Sequence, residues 1–591
     1  MTSCLFLDQF PVEIIYTLFN YISVPELYRT FFNVSDYINA VLMRYPITRV
    51  NLKSCLPYHV DFICHHIKPD QILSLILSDD IDRSGQSELF FSYFHIEQFT
   101  QLRSLTLINL ENNFFEIIVS NLNNLHRLRS FSLVTTEYYH SIDKNYRLRF
   151  VAMKNLLSNA CTDFLSKLTQ LTLFNIQEMT LKPFARLRHL KISECSTKEL
   201  SRICSELPML KSLDVCLQGD SITMLDISQL SALTQLRLKI DGWKNKSLLT
   251  NLVKDFLPHL VQLKHFELES DLWNSMDDGT RWANLTKSLV TFNFKFKIRF
   301  LLKNLNSFRT PFWLEEKQWF VVYFNGDLCT IPRFAPVKYN TNGQSFDMSN
   351  LSSNTILHQH ITELTVLTEI FHPNQYFPNI EILKMNCSVR MERMFNAISL
   401  NNIKHLILSS SSSMAMVLLI LPVMPLLDEL TIAGRLVPVL IEHLQDNIIE
   451  QIRTLNLHFC YFEKESITKM LCQYFPRIKY LNVSLINSTN DIILFIQQLP
   501  YLVNASFGMN SLLKKEKEKN CKRLKMTIDK KYSCQIVHSS NQNTFSFVHI
   551  WLTDDVSFIT RFLDLKEYIY INFSNLYCHS SKQYNDMFKK I

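Results

Sequence analysis

The sequence predicts an α/β chain: a small N-terminal helical module, then a curved solenoid of stacked strand–turn–helix units interrupted by a β-hairpin. Three observations predict it. A phrase of three apolar residues, spaced i, i+3 and i+5, recurs along most of the 591 residues. The segments between copies carry apolar residues at helical spacing. Residues 1–45 lack the phrase and hold short amphipathic helices instead.

In Leu5–Leu42, Asp8 is a candidate N-cap, and Pro11 falls in a first helical turn, where its missing N–H costs nothing. Ile14, Ile15, Leu18, Phe19 and Ile22 follow at helical spacing. Pro25-Glu26 opens a second helix with an apolar stripe of Leu27, Phe31, Val34, Ile38 and Leu42. Two or three short helices in about forty residues bury little apolar surface, so the module needs a partner surface. On the residues alone, it is either a docking module or a cap that seals a repeat array.

The wording resembles the F-box. Phe10-Pro11-Val12-Glu13-Ile14-Ile15 stands where that family has Leu-Pro-x-Glu and two aliphatics, with Phe for the usual Leu. Leu18-Phe19 and Tyr21-Ile22 match the next two pairs, and Pro25-Glu26-Leu27 the turn, with Glu for the usual Asp. The basic residue and Trp that the family often has near Asp36-Tyr37 are missing. The resemblance implies contact with the Skp adaptor of a cullin-RING ubiquitin ligase. It further implies that Phe10, Pro11, Ile14, Ile15, Leu18, Tyr21, Ile22, Leu27 and Phe31 divide between the module's core and that contact. Removing Pro11 and Glu13 together is then expected to weaken adaptor binding without unfolding the solenoid.

Residues 46–295 repeat the phrase ten times, with central positions Val50, Leu75, Leu105, Phe131, Leu171, Leu190, Leu213, Leu236, Phe266 and Phe292. The steps are 25, 30, 26, 40, 19, 23, 23, 30 and 26 residues. This resembles the leucine-rich repeat, with Cys195 and Cys460 at the position where that family often has Asn or Cys. The last two apolar residues of each phrase alternate as in a strand, and segments such as Ser196–Leu207 and Ser247–Leu257 read as the returning helices. The 40-residue step implies either an insertion around Glu137–Met153 or a concealed repeat.

Residues 296–350 break the pattern. Asn325-Gly326 between Trp319–Phe324 and Leu328–Pro332 predicts a two-residue hairpin. Its aromatics serve either as a ligand platform or as the insertion's own small core, and Lys338–Asn354 reads as a flexible return. The phrase resumes over 351–510 at Leu364, Leu383, Leu406, Leu430, Leu455, Leu481 and Ala505. The apolar run Met414–Leu421 falls between two of these strands and reads as a buried repeat helix. In 511–591, a mixed charge run (Lys514–Lys519, Lys522, Arg523, Lys525) reads as a solvated loop. Tyr532–Val537 and Thr544–Leu552 then read as paired strands that cap the array.

Composition narrows the function classes. An apolar fraction of 47% excludes a mainly disordered chain, and only 8 glycines leave no Gly-rich phosphate loop. A net charge of +7 over this length gives no argument for nucleic acid. Fourteen cysteines without a CxxC, and no signal-like N-terminus, fit reduced thiols in cytoplasm or nucleus. No zinc framework, H-E-x-x-H or G-x-S-x-G occurs, and Cys64-His65-His66 and His358-x-His360 lack further ligands nearby. No cofactor, metal or catalytic residue is therefore expected, and no membrane or nucleic-acid partner. The expectation is an F-box joined to a leucine-rich-repeat-like α/β solenoid with a β-hairpin insertion. Resemblance implies the target-binding subunit of an SCF-type ligase, with Skp, a cullin and an unknown target protein as partners. The alternatives are a plain leucine-rich-repeat scaffold, or an enzyme whose site is assembled across repeats.

Overall fold

The computed structural model describes residues 6–32, 34–53, 55, 60, 63–79, 86–110, 117–118, 120–134, 162–175, 184–218, 230–240, 257–271, 277–298, 302, 304–341, 348–351, 358–367, 375–386, 391–412, 414–444, 448–458, 465–486, 489–502, 504–510, 532–538 and 545–552. They fall into two compact units divided at residues 299/300.

The first unit opens with three short helices, α1 (Val12–Phe19), α2 (Val24–Phe31) and α3 (Asp36–Arg44). Ten strands follow: β1 (Arg49–Asn51), β2 (Ser74–Ser78), β3 (Ser104–Ile108), β4 (Ser130–Val134), β5 (Gln170–Leu173), β6 (His189–Cys195), β7 (Ser212–Leu217), β8 (Gln235–Ile240), β9 (His265–Ser270) and β10 (Thr291–Lys297). They stand side by side in sequence order, all parallel. Among the helices between them are α4 (Gln86–Tyr93), α5 (Thr162–Lys167), α6 (Thr197–Glu206) and α7 (Gly279–Thr286).

The apolar phrase sets the register. Every central residue faces the next: Leu75 opposite Leu105, Leu105 opposite Phe131, Leu190 opposite Leu213, Phe266 opposite Phe292. The phrases are buried, as at Leu210, Leu213 and Val215, with Leu133 half-buried, and a fully buried Leu is worth about 2 kcal/mol. Phe131 pairs directly with Leu171. The long step is thus an insertion between neighbouring strands, and its own residues lie outside those described. α6 forms as the sequence predicts, with Ser196 accepting from the Glu199 N–H at 3.2 Å and the Glu199 carboxylate accepting from the Ser196 N–H at 2.7 Å. Most of the helix expected at Ser247–Leu257 lies outside the described residues. At the end of the ladder, Trp282 of α7 stacks on Phe294 and Phe296, ring centres 6.4 and 5.5 Å away.

The second unit opens with a hairpin, β11 (Phe320–Phe324) and β12 (Asp327–Ile331). Asn325 and Gly326 both take positive φ, 49° and 85°, as a tight primed turn requires. Val321, Val322, Tyr323, Phe324, Leu328, Cys329 and Ile331 are all buried. The hairpin therefore offers no open aromatic platform; both faces are packed. The segment read as a flexible return instead carries two short strands, β13 (Lys338–Asn340) and β14 (Met348–Ser349). β14 pairs with β11, and the buried Asn350 accepts from the Val321 N–H and donates to the Phe308 and Trp319 carbonyls. An amide with this many bonds fixes the chain, because losing any one strands a buried polar group.

β13 starts a second parallel series: β15 (Glu363–Val366), β16 (Ile382–Met385), β17 (His405–Leu408), β18 (Glu429–Ala433), β19 (Thr454–His458), β20 (Tyr480–Ile486) and β21 (Asn504–Asn510). Tyr339 faces Leu364, and the ladder runs on through Leu383, Leu406, Leu430, Leu455, Leu481 and Ala505. Its helices include α8 (Met391–Ala397), α9 (Met414–Ile420), α10 (Val437–Leu444), α11 (Glu465–Tyr474) and α12 (Thr489–Gln498), the last four packed each on the next. α9 is the helix expected at Met414–Leu421, with Val417 and Ile420 buried but Leu419 exposed. β22 (Tyr532–His538) and β23 (Phe545–Leu552) close the series as an antiparallel pair, β23 lying along β21. The charge run before them lies outside the described residues. Each unit thus carries a leucine-rich-repeat-like solenoid of stacked strands and helices.

Candidate partner-docking face

α1 begins at Val12, directly after Pro11, whose φ of −57° suits the position. Asp8 does not cap it. Asp8 lies in a short 3-10 turn and accepts instead from the Ser35 hydroxyl at 2.6 Å, while Ser35 caps α3 by accepting from the Ile38 N–H at 3.1 Å. The Tyr37 hydroxyl donates to the Phe10 carbonyl at 2.8 Å, and the Tyr45 hydroxyl to Asn20 at 2.9 Å. These bonds tie the start of α1 to α3 and its end to the turn before β1, which fixes the helix's rotation.

The rotation decides what each candidate residue does. Ile15 and Leu27 are fully buried with Phe19, and the Phe31 ring lies 5.1 Å from that of Phe19. Phe10 and Ile22 are half-buried. Pro11 is exposed, and Ile14, Leu18 and Tyr21 are 47%, 42% and 86% exposed. Ile14 and Leu18, four apart in α1, share one helical face, with Pro11 just before the helix and Tyr21 in the turn just after it. The nine candidates are therefore not one surface: they separate into a core and an outward apolar stripe. Tyr37 and Met43 of α3 are also exposed. Neither is among the nine residues the resemblance implies, and their signal in the sequence is the complement of the buried set Ile38, Val41 and Leu42.

The inward face packs on the first repeat. Phe19 and Tyr16 meet Tyr45 at 5.2 and 5.3 Å, and Tyr28 and Phe32 meet His66 at 5.3 and 5.5 Å. Burial pushes the Tyr28 phenol up to about 12, and raises that of Tyr45 against the opposing Arg49 charge. Both rings stay neutral parts of the packing. The helices belong to the same compact unit as β1–β10 and cover the start of that sheet.

Elsewhere the polar surface is engaged with itself. On the open side of the first sheet, Lys191 pairs with Asp214 at 3.1 Å, and Arg237 with Asp214 at 3.4 Å and Glu267 at 2.6 Å. On the second, Glu363 holds Lys338 at 2.6 Å and Lys384 at 3.0 Å, and Asn456 donates to Glu429 at 2.7 Å. Lysine bonds, Lys338 first, pull the Glu363 carboxyl below the usual range against its burial. His65 meets Tyr93 edge-on, His66 lies tilted against Tyr28, and His358 is buried beside Phe377. Among the described residues no group of three or more His, Cys, Asp and Glu is placed to hold a metal ion, and no helix is long and apolar enough to cross a membrane.

No protein-family model matches the chain. No curated protein matches it in sequence. Among solved structures it is similar to a chain of the yeast Rad7–Elc1 complex, at 12% identity and a TM-score of 0.26, covering 81% of this chain and 84% of that one. It is also similar to an LRR protein of Leptospira interrogans, at 14% identity and a TM-score of 0.22, covering 73% of this chain and 95% of that one. Scores this low carry no weight for fold or function; the solenoid rests on this chain's own strand register.

Proposed function

We propose that this chain is the target-recognition subunit of an SCF-type ubiquitin ligase, binding the Skp adaptor through α1 and a target protein through its solenoid. The observation that carries the reading is the outward stripe Pro11, Ile14, Leu18 and Tyr21. Two large apolar side chains on one short helix, with Tyr21 exposed in the turn after it, support a docking surface beside strand phrases that face inward. The stripe falls on the residues that resemble the F-box, and the inward face of the same helix seals the first repeat. Capping and docking are thus opposite faces of one element. The chain itself supplies no chemistry: holding a target's lysines near a loaded ubiquitin carrier raises their effective concentration.

The test is complex formation in solution. Purified full-length chain mixed with purified Skp adaptor should co-elute as a one-to-one complex. A folded chain that leaves the adaptor unbound at micromolar concentrations would overturn the ligase reading and leave a repeat scaffold, with α1–α3 as its cap.

A further inference from the structure

His358 stands at the joint between the hairpin and the second parallel series. Its ring centre lies 4.6 Å from that of Phe377 and 6.2 Å from that of Tyr339. Tyr339 in turn lies 5.0 Å from Phe377 and 5.4 Å from Phe324 at the hairpin tip. Four rings from four places in the chain therefore share one buried cluster. His358 is 1% exposed, and neither Nδ1 nor Nε2 has a hydrogen-bond partner. That is costly for an imidazole: an ordinary buried histidine satisfies at least one nitrogen.

We propose that His358 is an acid-sensitive lock, whose protonation opens the joint between the hairpin and strands β13 and β15. The geometry supplies the reason. A charged imidazole here has two N–H donors and, among the described residues, no acceptor for either. Tyr339 turns its hydroxyl to Gln375, which donates to it at 2.8 Å. The charges on the adjoining strands, Lys338 and Glu363, are bonded to each other; His360 lies two residues on. Burial alone acts on the ring and pushes it down to about 4. The unfolded or opened chain keeps the ordinary histidine value, about 6.5. Between those limits only the opened form takes up the proton, so the closed form loses ground as pH falls and the loss levels off below about 4. The shift amounts to roughly 100-fold in the closed-to-open ratio between pH 7 and pH 4.

The experiment uses the full chain with 13C-labelled histidine and, in parallel, backbone hydrogen exchange in β13 (Lys338–Asn340) and β15 (Glu363–Val366). The His358 resonance should titrate near pH 4, and exchange there should rise roughly 100-fold beyond its intrinsic pH dependence between pH 7 and pH 4. His358→Phe, which keeps the ring and removes the titration, should abolish that rise. A resonance titrating near 6.5, or the same rise in His358→Phe, would overturn the lock. If His358→Phe does not fold, the wild-type titration and His358→Gln decide the matter in the same way.

Discussion

The outer side of the sheets and the outer side of α1 solve opposite problems. Along the strands, alternation puts Leu213 and Val215 inside and Asp214 outside, and the outside residue then bonds to its neighbours on β6 and β8. The open face of the ladder is polar and internally paired. Along α1, Ile15 and Phe19 go inside, but Ile14 and Leu18 go outside, followed by the exposed Tyr21 in the next turn. A surface that answers its own charges is complete; a surface of exposed aliphatics beside a buried core is not. The contrast separates a surface that pairs with itself from the one proposed to dock.

Breaking the inner ladder should have the largest effect. Leu213→Ala empties a fully buried site and should cost about 3 kcal/mol, read as a lower urea midpoint. A change within about 0.5 kcal/mol would mean that the ladder is not the core of its unit. Ile15→Ala should cost a similar amount, about 3 kcal/mol, and should weaken adaptor binding only through lost folding. Ile14→Asp with Leu18→Asp should do the reverse. Adaptor affinity should fall at least 100-fold, roughly 3 kcal/mol, with the melting midpoint held. Equal losses of stability in the inner and outer variants would erase the division of the helix.

The paired polar face should respond more weakly. Because its lysine bonds hold Glu363 below its ordinary carboxyl range, it contributes stability above about pH 4.5. That contribution is lost as pH falls through its folded value, so Glu363→Gln should flatten the acid side of the second unit's stability curve. No difference from wild type at low pH would mean that the lysines are not bound in solution. Smallest is Arg237→Ala. Its ion pairs are partly exposed, and their loss should cost under about 1 kcal/mol and shrink further in high salt.

The strands were legible in the sequence because their signal is redundant. Three apolar positions repeat at every unit, and neighbours must match in register, so even the 40-residue step left Phe131 opposite Leu171. β13 escaped because Tyr339 replaces the leucine and polar residues surround it. Its position, 25 residues before Leu364, was the remaining signal. The exposed stripe around α1 was legible as a set but not as a face. Ile14 and Ile15 are the same residue type, and tertiary contacts turn one outward and the other in: the ties of Phe10 to Tyr37 and Asn20 to Tyr45, and the packing of Phe19 on Phe31 and Tyr45. Asp8 failed as a cap for a similar reason: its better partner, Ser35, is 27 residues away. The sequence offered the packed reading of the hairpin beside the platform one; it could not name the partners, because the residues around it are spread from Phe308 to Phe377.

The most direct test of the central claim is a calorimetric titration of Skp adaptor into three full-length proteins: wild type, Ile14→Asp with Leu18→Asp, and Leu419→Asp as a control on an exposed leucine far along the chain. The account predicts binding by the wild type and the control, and none by the α1 variant, with all three melting alike. Unchanged binding by the α1 variant, or no binding by any of the three, would contradict it.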